Sequence, residues 1–190
     1  AAAGDCYFDG GRACSADNPG FTAALNTLTE AVEGACRDGD FMGMTTEATA
    51  GRLTNARQSQ SDALSWRTFG GPQGAVWPDA DAAARDCLQS AQQTAAQFTD
   101  DSLTIINDCL ASGDCSDAAS ARESALQEAV AAIAEACPDL ASLIAVKPET
   151  YIQRTADQID CLTASAHADT SGLELTCGTS FVESLPARGE

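Results

Sequence analysis

Nine cysteines punctuate this 190-residue chain, at Cys6, Cys14, Cys36, Cys87, Cys109, Cys115, Cys137, Cys161 and Cys177. No two of them stand in a C-x-x-C spacing, so disulfides formed in an oxidising compartment explain their number better than a metal centre does. Three separations are identical: Cys14 to Cys36, Cys87 to Cys109 and Cys115 to Cys137 each span 22 residues. A continuous α-helix of that length rises about 33 Å, whereas disulfide-bonded Cα atoms lie about 4.4 to 6.8 Å apart. Each bridge must therefore join different segments. The pairs Cys87/Cys137 and Cys109/Cys115 are both centred on residue 112, inside the turn Ala111-Ser112-Gly113-Asp114. That symmetry predicts an antiparallel helical hairpin with Cys87–Cys137 at its open end and Cys109–Cys115 at its turn.

The recurring interval also signals an internal repeat. Cys14-Ser15-Ala16-Asp17 aligns with Cys115-Ser116-Asp117-Ala118, Leu25 with Leu126, Val32 with Ile133, and Ala35-Cys36 with Ala136-Cys137. Phe21, Leu25, Leu28 and Val32 recur at helical steps, as do Leu126, Val130 and Ile133, and both sets read as core stripes. Leu88, Ala91, Ala95, Phe98, Ile105 and Cys109 mark a longer helix, started by Pro78-Asp79 and stopped at Ser112-Gly113. Residues 46 to 68 form a more polar helix expected on an edge, and Pro148-Glu149 opens a last one through Ile152, Ile159 and Leu162. Leu173-Glu174-Leu175 alternates like a short strand, followed by the polar tail Pro186 to Glu190. By the repeat, Cys6 and Cys14 flank Asp9-Gly10-Gly11 as a second turn pair. The N-terminal copy lacks a helix to supply a counterpart of Cys87, so Cys161 is the expected partner of Cys36. Cys177 is then left over as a free or interchain thiol.

Acids outnumber bases by 28 to 10, only one base is a lysine (Lys147), and the net charge is -18. Such a chain repels phosphate backbones and anionic membranes, which argues against nucleic acid as a partner and favours a solubilising role for the charge. The longest apolar run, Ala129 to Ala134, falls far short of the roughly 20 residues that span a bilayer. The opening Ala1-Ala2-Ala3-Gly4 resembles the scar of an exported precursor cut after small residues. The expected location is extracytoplasmic: periplasmic, cell-surface or secreted.

Site motifs are scarce. His167 is the only histidine, no G-x-S-x-G elbow exists, and zinc, nucleotide and haem signatures are missing. No catalytic, cofactor-binding or metal-binding residue is assigned. Asp38 with Asp40, Asp79 with Asp81, Asp100-Asp101, and Asp114 with Asp117 could donate oxygens to calcium, but none fits a twelve-residue calcium loop and helix capping explains them more simply. Met42 and Met44 with His167 make a weak case for copper. No pair among the many carboxylates stands out for glycosidase chemistry. Trp66 and Trp77 flank the turn-rich connector Phe69 to Pro78 and are expected to fill the seam beside it.

Asp86-Cys87-Leu88-Gln89, Asp108-Cys109, Cys115, Ala136-Cys137-Pro138 and Asp160-Cys161-Leu162 together resemble exported, cysteine-bearing helical-hairpin proteins predicted from bacterial genomes. The resemblance covers residues 80 to 165 and implies export and helical hairpins, with no assigned activity. The chain departs from that group in its acidity. The fold expected is all-α, with about five helices in two disulfide-stapled, hairpin-like parts (1–70 and 79–190) and a short irregular C-terminal segment. The function expected is a non-enzymatic interaction or scaffold subunit of an extracytoplasmic assembly, needing no cofactor. The alternative is an extracytoplasmic binding protein for an apolar ligand or a metal ion.

Overall fold

Two disulfides frame the centre of the molecule: Cys87–Cys137 and Cys109–Cys115. In this computed structural model, which describes residues 2–15, 17–40, 43–71, 74–167, 170 and 172–177, they join two long helices that run alongside each other in opposite directions. The helices among the described residues are α1 (Ala2–Gly10), α2 (Pro19–Ala35), α3 (Thr46–Phe69), α4 (Ala82–Ser112), α5 (Ala118–Ala136), α6 (Leu140–Ile144) and α7 (Pro148–Ala166). No strand occurs among the described residues. The architecture is all-α.

Local chemistry sets the ends of α4. The Asp81 carboxylate accepts a hydrogen bond from the Ala84 N–H at 2.9 Å, satisfying one of the orphan donors of the first turn. The start thus falls just beyond the expected Pro78-Asp79. At the other end Gly113 adopts φ 71° and its N–H returns to the Cys109 carbonyl, a left-handed cap that glycine adopts without steric cost. Between the caps Leu88, Ala91, Ala95, Phe98, Ser102, Ile106 and Cys109 follow one another at steps of three and four, and all are buried. Alanines in this stripe let α5 and α7 approach closely.

Seven helices stand among the described residues where about five were expected. The difference is α1, which the cysteine pairing reduced to a turn, and the single turn of α6, whose Leu140 and Ile144 plug the core. A larger departure concerns α3. Its weak apolar periodicity predicted an edge helix, yet it packs against α1, α2, α4, α6 and α7 and buries Thr49, Ala50, Ala63, Leu64, Ser65, Arg67, Thr68 and Phe69. A helix covered from several sides needs no single apolar stripe, provided its buried polar groups find partners.

One cluster of buried side chains spans the connector at 70–78, joining Tyr7, Leu64 and Phe69 on one side to Trp77, Leu88, Phe98 and Ile152 on the other. Trp77 packs edge-on to Phe69 with ring centroids 5.4 Å apart and lies 5.9 Å from Phe8, while the Arg85 guanidinium sits 5.4 Å over its ring. Gly74 carries no Cβ because one would lie 2.1 Å from the Gly11 carbonyl oxygen, so the connector and the end of α1 meet backbone to backbone.

The remaining cysteines pair differently from the expectation. Cys6 bonds Cys14, but Cys161 bonds Cys177, which leaves Cys36 as the free thiol among the described residues. Two expectations are corrected together: Cys36 is not paired with Cys161, and Cys177 is not spare. The cause is the path of residues 172–177, which fold back onto α7. There the Thr176 N–H and hydroxyl both donate to the Asp160 carboxylate at 2.9 Å. Leu173-Glu174-Leu175 is irregular rather than a strand, because its neighbour is this carboxylate-bearing helix and not another extended chain. The tail Pro186 to Glu190 lies outside the described residues, as does Met42.

Candidate functional site

The most unusual surface is α2. Asn18 caps it by accepting from the Phe21 N–H at 2.9 Å, and Pro19 opens it. Phe21, Leu25, Leu28 and Val32 fall on one face, with Cys36 continuing the line just past the helix end. All five are only half-buried, and α2 has no fully buried residue. Its principal neighbour is α3, reached partly through a 3.2 Å hydrogen bond between the Thr29 and Thr54 hydroxyls, and it touches α1 more lightly. The repeat-related helix α5 differs sharply. It is held by both α4 and α7, and its Ala129, Ile133 and Cys137, the counterparts of Leu28, Val32 and Cys36, are buried. Periodicity identified both stripes as core: in α5 Ile133 is buried while Leu126 and Val130 are half-buried, and in α2 no residue of the stripe is buried.

A second feature is a cavity of about 360 Å³ between α1, α3, α4 and α7. Phe8, Leu64, Ile159 and Leu162 contribute apolar wall, and Gln92, Gln97 and Gln158 contribute amides. Gln158 accepts from the Arg67 guanidinium, which can only donate, so the amide oxygen must face Arg67. Its Nε2 then has no acceptor among the described residues.

Behind this cavity lies a buried polar chain. The Thr68 hydroxyl is 2.6 Å from the Tyr151 hydroxyl, 2.8 Å from Gln92 Oε1 and 2.9 Å from the Leu64 carbonyl. Its single hydrogen goes to a carbonyl oxygen, so Tyr151 donates to Thr68. Burial pushes the Tyr151 phenol up to about 12, outweighing the opposite effects of Thr68 and Arg67. Burial, helped by the nearby Asp62 charge, raises Tyr7 as well, and the Tyr7 hydroxyl donates to the Gly71 carbonyl at 3.0 Å. Burial acts on Arg67 in the reverse sense, lowering it to about 10.

These directions predict an alkaline transition. A phenol whose folded pKa exceeds its unfolded value of about 10 stabilises the fold below pH 10, and that contribution disappears as pH rises through the folded value. Arg67 opposes this, since its buried charge is relieved above about pH 10, but two tyrosines act against one arginine. The chain contains only two tyrosines. Absorbance at 295 nm should therefore stay flat through pH 10 and then rise in one cooperative step together with loss of helical circular dichroism. Independent titration of either tyrosine near pH 10 in folded protein would contradict its burial.

The acidic clusters serve local structure. Asp38 accepts from both the N–H and the hydroxyl of Thr46 at the start of α3, which holds its carboxyl below the usual range. Asp114 accepts from the Ser116 N–H with the same consequence. Asp101 takes a hydrogen bond from Gln97. Asp117 occupies the N-cap position of α5 but makes no side-chain cap bond. His167 caps the C-terminal end of α7 through its backbone N–H. Among the described residues, no three His, Cys, Asp or Glu side chains gather as a metal site would require. No helix among them is long and apolar enough to cross a membrane.

The α2 line is the feature that sequence reading missed as a site, because its periodicity reads as a core stripe. No protein-family model, curated protein or solved structure matches this chain.

Proposed function

We propose that this protein is an exported, disulfide-braced interaction module, a non-enzymatic subunit of an extracytoplasmic assembly that docks a partner protein through α2. The observation that carries this reading is the half-exposed line Phe21, Leu25, Leu28, Val32 and Cys36 on a helix supported mainly from one side. Four disulfides, typical of oxidising compartments, support the location. The test compares proteins retained from source extracytoplasmic extract by the native chain and by a Leu28→Asp/Val32→Asp variant whose circular dichroism is unchanged. A defined partner should be held by the first and lost by the second. Identical retained sets would refute docking through α2.

The second reading, a binding protein for a small amphipathic molecule, is favoured by the cavity volume and by the Gln158 Nε2 left without an acceptor among the described residues. Native mass spectrometry of source-purified material would then show a constant added mass, absent if the cavity stays empty.

A further inference from the structure

One of the four disulfides differs from the rest in its setting. Cys6–Cys14, Cys87–Cys137 and Cys109–Cys115 join residues that are buried or half-buried, whereas Cys161–Cys177 joins a buried cysteine on α7 to an exposed one at the end of residues 172–177. Those residues form an irregular strap along the groove of about 350 Å³ that lies between α4, α5 and α7. Phe98, Ala118 and Ala156 line the groove and are buried, and the half-buried Leu173 of the strap packs against the core. Gly172 sits so close to the Cys109–Cys115 bridge that a Cβ there would stand 3.1 Å from Cys115 Sγ. Thr176 binds Asp160 and Asp157 on α7, and the Cys161–Cys177 bridge follows one residue later.

We propose that Cys161–Cys177 is a redox latch on this strap: a dithiol reductant opens it ahead of the other three bridges, and the strap then swings off the groove and uncovers Phe98 while the helices stay folded. Thiol–disulfide exchange depends on access to the attacked sulfur, and the exposed half of this bridge is where access is greatest. One thiolate of the dithiol attacks Cys177 Sγ, the bond to Cys161 breaks, and Cys161 leaves with the electron pair and takes up a proton. The second thiol of the dithiol then attacks the mixed disulfide and releases Cys177, so the dithiol ends as its own disulfide and both cysteines end as thiols. The helices keep their places because α4 and α5 remain joined through Cys87–Cys137 and both pack on α7. The latch closes a loop with a sequence separation of 16, and by the chain-entropy relation its opening should raise the population of detached straps by on the order of a hundredfold.

The test treats the intact oxidised protein with limiting dithiothreitol, traps the thiols with iodoacetamide and maps them by mass. Beyond Cys36, which is free from the start, Cys161 and Cys177 should be labelled first, with helical circular dichroism unchanged. Chymotrypsin cleavage after Leu173 or Leu175 should then accelerate by on the order of a hundredfold, because slow cleavage follows the open population. Hydroxyl-radical labelling of Phe98 should increase in parallel. A Cys161→Ala/Cys177→Ala variant should show the same cleavage and labelling with no reductant. Labelling of another bridge before this one overturns the proposal, as does loss of helical signal at the first reduction. A strap that stays resistant once Cys161 and Cys177 are reduced also overturns it, since the bridge would then hold nothing that Thr176 and Leu173 do not hold without it.

Discussion

Replacing Cys87 and Cys137 together by alanine should lower the stability of the folded chain by about 4 kcal/mol. The bridge closes a loop with a sequence separation of 50 residues, and the chain-entropy relation for a loop of that length gives about this value. Against a typical total of about 5 to 15 kcal/mol, the loss should depress the melting temperature by on the order of 10 °C. Both positions must change at once, since a single substitution would leave a second free thiol able to exchange with Cys36. Cys137 is fully buried and Cys87 nearly so, which makes alanine the better replacement: it introduces no buried hydroxyl. Urea unfolding at fixed pH measures the change. An unaltered midpoint would mean that the contacts of α4, α5 and α7 hold the fold without the staple.

A loss of similar size should follow Asp160→Ala. Asp160 is 4% exposed and carries three interactions, an ion pair with Arg122 and hydrogen bonds from the Thr176 N–H and hydroxyl. Its removal strands a guanidinium whose side chain is 15% exposed and takes the acceptor from the Thr176 N–H, while the Thr176 hydroxyl keeps Asp157 at 3.3 Å. Breaking a buried pair from one side costs about 3 to 5 kcal/mol, and the lower end applies because Arg122 lines an open groove and can turn toward water. The double change Arg122→Met/Asp160→Leu removes both charges and should recover most of the loss, leaving mainly the deficit at Thr176. A double-mutant cycle in urea separates these contributions. An Asp160→Ala cost below about 1 kcal/mol would show that the pair is solvated in solution.

What could be read from the residues alone followed from how local the determining physics was. The helical segments around Cys87, Cys109, Cys115 and Cys137 were legible because helix rise and disulfide geometry constrain one another through a short turn. Cys36, Cys161 and Cys177 were not, because their pairing depends on where residues 172–177 return, and that path is set by Asp160 and Thr176 across the surface of α7. The polar helix α3 was misplaced for a related reason. Apolar periodicity reports helices buried on one side, whereas α3 is enclosed on several and sets Thr68, Ser65 and Arg67 in hydrogen bonds with Gln92, Tyr151 and Gln158. The α2 stripe was visible in the sequence, but its exposure depends on which helices pack beside it, chiefly α3, and the stripe alone does not reveal that.

The nesting of Cys109–Cys115 inside Cys87–Cys137 has a consequence for what a protease can release. A protease that cuts the backbone anywhere between Cys87 and Cys137 does not release a fragment, because the outer bridge still joins the two sides. A cut at the exposed tip around Gly113 and Asp114 is spanned twice. The nicked molecule keeps its full mass until a reductant reaches it, and with α4 and α5 still held side by side it keeps the surfaces that they support.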